Sequence, residues 1–144
     1  ERKGLLMKKT FACREISPGT VEGEVLLSED RLLFYRADPA TGVITERGHC
    51  LEGISVKDKI LVFPGGKGSS SVQMDGLYKL DRHSAAPLAF LVREPDTVLV
   101  SGAIIMGVPM VDRIDEEFYR TVQTGDRVRL DAASQTITLL ERRA

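Results

Sequence analysis

The chain has 144 residues, 42% of them hydrophobic and 28% charged, and carries a net charge of −1. That length fits one hydrophobic core that needs no disulfide or metal staple. The charge balance argues against a nucleic-acid-binding domain, which normally shows a basic excess. No apolar run approaches the roughly 18 residues that span a membrane. Two cysteines, Cys13 and Cys50, are too few for a disulfide-rich secreted scaffold. Free buried thiols in a reducing, cytoplasmic compartment are expected, with a single bridge as the alternative.

Residues 1–8 are basic, but their only apolar stretch is residues 5–7. A signal peptide needs about 7–15 apolar residues. Residues 1–8 are therefore set aside as an N-terminal extension, with Met7 a candidate natural start, and residues 9–144 are read as a single domain. Residues 10–16 read as a strand, followed by a Ser17-Pro18-Gly19 turn. Residues 23–27, 32–36 and 43–45 read as further short strands, with an Asp38-Pro39-Ala40-Thr41-Gly42 turn before the last. Residues 59–63 form a near-continuous apolar run, as in a strand buried on both faces.

A glycine-rich loop follows, and then apolar residues at helical spacing up to Arg82, although Gly76 weakens that helix. Residues 87–92 read as a second buried strand, 96–106 as an apolar helix and 109–111 as a third strand. Residues 115–122 read as a helix with Asp115, Glu116 and Glu117 at its positive end. Residues 125–131 and 137–140 form a closing hairpin. Alternation of strand and helix predicts parallel pairing with right-handed crossovers. The expected architecture is a three-layer β/β/α domain, with a small barrel-like β layer packed on a parallel sheet covered by helices.

The loop Pro64-Gly65-Gly66-Lys67-Gly68-Ser69-Ser70-Ser71 is the best candidate for chemistry. It lies between a buried strand and a helix, where sites of α/β domains collect. Glycines let a backbone approach a ligand, and a helix start offers free N–H groups to an anion. Lys67 adds a cation, but its place before Gly68 does not match a Walker A motif. Ser70 and Gln73 have the spacing of a capping box, which makes Ser70 the expected N-cap. Ser69 is then free to act as nucleophile or base; the competing reading is a serine-rich turn that only caps a helix. His49 is read as a satisfied loop histidine, His83 as solvated, and residues 112–117 as an exposed ion-paired face. No C-x-x-C or H-x-x-x-H spacing is present.

These segments, in this order, resemble one family. They are Ser17-Pro18-Gly19 with Glu22-Gly23-Glu24, Asp38-Pro39-Ala40-Thr41-Gly42, Glu46-Arg47-Gly48-His49, Leu61-Val62-Phe63-Pro64, Gly66-Lys67-Gly68-Ser69-Ser70, Gly102-Ala103-Ile104-Ile105 and Pro109-Met110-Val111-Asp112. Together the chain resembles the small subunit of type II aconitase X, a swivelling β/β/α domain, over about residues 12–131.

The resemblance implies a two-component dehydratase that eliminates water from an anionic hydroxy acid. It implies a larger partner subunit holding iron or an iron–sulphur cluster, with no cofactor on this chain. By the same resemblance Ser69 is the proton acceptor, and Gly66, Lys67, Gly68 and Ser70 bind substrate. The stretch from Ala103 to Asp115 looks closer to the phosphomevalonate group of the family. The favoured reaction is (R)-5-phosphomevalonate to trans-anhydromevalonate 5-phosphate, with cis-3-hydroxy-L-proline as the alternative substrate. Departures occur at Phe34-Tyr35-Arg36-Ala37, at Cys50 and at Val72-Gln73-Met74.

Two other classes compete. Gly107-Val108-Pro109 and Gly125-Asp126-Arg127-Val128 also resemble the tail of phosphohistidine carrier domains, but residues 94–107 contain no histidine. A stand-alone binding module is the other alternative.

Overall fold

The computed structural model describes residues 9–143. The reading of residues 1–8 as an extension lies outside the described residues. In chain order the elements are β1 (Lys9–Ala12), β2 (Arg14–Ser17), β3 (Thr20–Leu27), a 3-10 turn (Phe34–Arg36), β4 (Lys59–Phe63) and α1 (Ser70–Arg82). There follow β5 (Ala89–Val92), α2 (Thr97–Met106), β6 (Met110–Asp112), α3 (Glu116–Thr121), β7 (Arg127–Asp131) and β8 (Thr136–Glu141).

The eight strands form one mixed sheet in the order β1-β8-β7-β3-β4-β5-β6-β2. Strands β3, β4, β5 and β6 run parallel, and the outer pairings are antiparallel. The two edge strands β1 and β2 are separated in the chain by Cys13 alone, so the edges must meet. The Cys13 N–H donates to the Gln135 carbonyl at 3.1 Å, and the Glu15 N–H to Gln135 Oε1 at 2.9 Å. The sheet therefore curls over on itself, and its β1-β8-β7 limb becomes the barrel-like β layer of a β/β/α domain.

Each face of the sheet has its own core. On one face Leu26, Leu61, Phe63, Phe90 and Val92 pack against Leu77 and Leu80 of α1 and Leu99 and Ala103 of α2. On the other, Val25, Ile60, Val62, Ala89 and Leu91 pack against Phe118 of α3 and Val128, Leu130, Ile137 and Leu139 of the curled limb. This explains the sequence pattern. Strands β4 and β5 are covered on both faces and, after Lys59 at the start of β4, are apolar throughout, whereas β7 alternates exposed and buried residues. Successive parallel crossovers of one hand, all stepping the same way across the sheet, put α1 and α2 on one face. Both helix N-termini then open at the carboxyl ends of β4 and β5.

Two expected strands are absent. Within residues 32–36, Leu32 makes one bridge to Gly66 and Phe34–Arg36 form the 3-10 turn, and residues 43–45 contribute isolated bridges only. For residues 32–36 the cause is Gln73 of α1, which is 2% exposed. Its Nε2 donates to the Leu32 carbonyl at 2.9 Å and its Oε1 accepts the Phe34 N–H at 2.7 Å. One side chain thus satisfies the backbone groups that a neighbouring strand would have paired. The helix also runs through Gly76. A Cβ there would lie 2.2 Å from the Tyr35 nitrogen, so glycine is what lets helix and turn backbones touch.

Candidate active site

The loop after β4 crosses Gly66, Lys67 and Gly68 and enters α1 at Ser69. Gly68 has φ +83°, a left-handed conformation that glycine adopts without strain. The bridge to Leu32, the Leu32 N–H bonded to the Gly65 carbonyl (3.0 Å) and Arg31 Nη1 bonded to the Gly66 carbonyl (3.2 Å) hold this loop from the side. The Arg31 guanidinium also pairs with Glu94. Gln73 in turn pins residues 32–34, so it positions the loop indirectly.

The expected capping box does not form. The N-cap is Ser69, whose Oγ accepts the Val72 N–H at 3.4 Å, while its carbonyl accepts the Gln73 N–H at 3.0 Å. Ser70 is the first helical residue, and Gln73 is turned inward to Leu32 and Phe34. The sequence spacing fitted a cap one residue too late because Gln73 had a stronger use in the core.

This correction bears on the chemistry. A hydroxyl oxygen that accepts a helix N–H sits where a negative charge on it is stabilised by that N–H and by the helix dipole. The cap and the candidate base are one side chain.

Gly66, Lys67, Gly68 and Ser70 share an open cleft of about 260 Å³ with Gln73, Asp96, Thr97 and Val98. Sequence reasoning missed the second half of this lining. Asp96 is the N-cap of α2 and accepts the Leu99 N–H at 2.9 Å, so the cleft lies between two helix starts. The signal was available in the Asp96-Thr97 step before an apolar helix, but nothing in the sequence places α2 beside α1. Lys67 extends to Glu46, with Nζ 2.5 Å from Oε2.

His49 is 6% exposed, with Nδ1 accepting the Leu51 N–H at 3.0 Å and Nε2 donating to the Arg31 carbonyl at 2.9 Å. This bears out a satisfied histidine and sets the neutral Nε2–H tautomer. Asp30 and Cys50 lie close enough to His49 to suggest a metal, but both imidazole nitrogens are committed to backbone. Those residues do not fit a metal or cluster.

His83, at the C-terminus of α1, is exposed, with Nδ1 2.8 Å from the Lys79 carbonyl oxygen. Two expectations are corrected. Cys50 is exposed, although Cys13 is buried and both are free. Asp112 is not on an exposed face: it is 3% exposed and accepts two 2.8 Å hydrogen bonds from Arg14, which ties edge strand β2 to β6.

Residues 10–139 match the family model described as the aconitase X swivel domain. The chain belongs to this family. It is 43% identical over 131 residues to the phosphomevalonate dehydratase small subunit of Methanococcoides burtonii, covering 90% of this chain and 95% of that protein. It is 42% identical over 129 residues to the protein of that name from Thermococcus kodakarensis, covering 89% and 94%. The crystal structure of Thermococcus kodakaraensis aconitase X in its holo-form superposes with a TM-score of 0.83 at 40% identity, covering 92% of this chain and 99% of that chain. Glycine loop and serine thus stand on a swivel-domain scaffold whose relatives are named as subunits of a hydro-lyase. No helix among the described residues is long and apolar enough to cross a membrane.

Proposed function

We propose that this chain is the small subunit of a cytoplasmic two-subunit hydro-lyase that dehydrates (R)-5-phosphomevalonate to trans-anhydromevalonate 5-phosphate. The observation that carries the reading is Ser69, an N-cap serine beside an anion-friendly cleft, in a chain whose relatives bear that enzyme's name. Ser69 accepts the proton from the carbon next to the substrate carboxylate. The Val72 N–H and the α1 dipole stabilise the Ser69 oxygen as the proton leaves carbon. Free N–H groups of the glycine loop, Lys67 and the Ser70 hydroxyl bind the anionic substrate.

The leaving hydroxyl needs an acid. A Lewis-acidic iron or iron–sulphur centre held by a larger subunit would supply that assistance. The Ser69 cleft is open, as expected of half a site that a second body closes against water. The last turn of α2 exposes Ile104 (56%) and Ile105 (76%). Val98 of the same helix lines the cleft. The larger subunit is the body that would cover both the cleft and these exposed side chains.

The decisive experiment is reconstitution. The chain is co-purified anaerobically with its larger partner, and (R)-5-phosphomevalonate and cis-3-hydroxy-L-proline are offered in parallel. Water elimination from the first alone supports the reading. Turnover of the second alone moves the chain to the hydroxyproline branch.

A further inference from the structure

Lys67 borders a second cleft, of about 540 Å³, lined also by Leu33, Arg36, Thr45, Glu46 and Arg47. The two clefts adjoin. Leu33 lies against Gly68, where an added Cβ would meet its Cδ1 at 3.0 Å. Three cations face a single carboxylate in this lining. Glu46 is already engaged by Lys67 at 2.5 Å. Asp30 is also within electrostatic reach of Lys67, but its carboxylate accepts the Cys50 N–H at 2.9 Å and is not part of the lining.

Arg36 has a fixed root: its carbonyl accepts both the Thr45 N–H at 2.8 Å and the Thr45 hydroxyl at 3.0 Å. The function derived above uses Lys67 from this group and leaves Arg36 and Arg47 without a role.

We infer that this second cleft seats the phosphoryl group of the substrate, with Arg36 and Arg47 as its main contacts. The inference rests on the reading of the chain as a phosphomevalonate dehydratase subunit. The substrate has two unlike anionic ends. A carboxylate carries one negative charge, and a phosphate monoester about 1.5 to 2 near neutral pH. The end with more charge belongs in the cleft with more cations. Guanidinium forks match phosphate oxygens in pairs, a geometry an ammonium cannot provide. The carboxylate end, where the proton is removed, stays at Ser69 between the two helix starts. Lys67 lies between the two ends and touches both clefts.

The test uses the enzyme assembled with its larger subunit and carrying Arg36→Gln, Arg47→Gln or both. Each arginine makes charge-assisted bonds worth roughly tenfold or more in affinity. The expected result is a KM for (R)-5-phosphomevalonate raised about tenfold by each change, with kcat within about twofold. The inhibition constant of unphosphorylated mevalonate, which has no group for this cleft, should stay put.

An unchanged KM in the double variant overturns the inference while the dehydratase reading stands. So does weakened assembly with normal KM at saturating partner, which would make the arginines a subunit contact. Failure of the wild-type pair to turn over phosphomevalonate overturns both readings.

Discussion

Replacing Ser69 separates structure from chemistry, because the Ser69 oxygen caps α1 and is also the proposed base. Ser69→Ala removes the hydrogen bond from the Val72 N–H. Losing an N-cap costs about 0.5–2 kcal/mol. At 3.4 Å and in an exposed position this bond belongs in the lower half of that range. About 1 kcal/mol corresponds to a fall in Tm of roughly 3–4 °C for a chain of this size.

The catalytic loss is larger. General-base assistance typically contributes ~10²–10⁴-fold, so kcat should fall by at least about a hundredfold. Ser69→Asn is the informative companion. Asparagine caps as well as serine, but its amide cannot take the proton. It should restore the Tm and not the rate. Ser70→Ala should leave the Tm within about 1 °C, because Ser70 is inside the helix and does not cap it. The assays are thermal unfolding of the isolated chain and steady-state dehydration by the assembled enzyme. Activity of Ser69→Asn within a few-fold of wild type would refute the base. A Ser70→Ala loss of stability equal to that of Ser69→Ala would refute the cap.

Gln73→Leu should destabilise by about 2–5 kcal/mol, because the Phe34 N–H and Leu32 carbonyl are left buried without partners. Urea unfolding measures this, and an unshifted midpoint would contradict the clamp. Ile105→Lys should weaken association with the larger subunit at least about tenfold, read by sedimentation at graded concentrations, with the Tm of the isolated chain unchanged. Equal association by the variant would place the partner elsewhere.

A thiol reagent at pH 8 should label one cysteine of the native chain. Cys50 is free and exposed, so the reagent reaches it. Burial, helped by Asp112, pushes the Cys13 thiol up to about 11, so it stays protonated and inert at that pH. Rapid modification of both would show that the β1–β2 link is open.

Much of this architecture is written locally in the chain. Residues 60–63 and 89–92 announce strands covered on both faces because they are apolar at every step, and the alternation in residues 127–131 announces one covered on a single face. The glycine loop is equally plain, since nothing but a turn explains three glycines and three serines between a buried strand and an apolar-periodic helix. Residues 32–36 misled for the same reason. Leu32 and Phe34 are buried as a strand reading requires, but the partner for their backbone is the Gln73 side chain, about forty positions on. The cap misled similarly: Ser70 and Gln73 have the right spacing, and only the packing of α1 on the Phe34–Arg36 turn withdraws Gln73 from it.

By itself, then, the sequence determined most of the strands and helices, which loop is the candidate to offer backbone and serine to an anion, and the family. These depend on periodicity, turn chemistry and short motifs, which are properties of neighbours in the chain. The tertiary structure alone decided which serine caps α1, that the α2 start lines the same cleft, and that Arg36 and Arg47 gather beside Lys67. Those are contacts between segments 20 or more residues apart, and their geometry comes from a sheet that must curl until its two edges meet at Cys13.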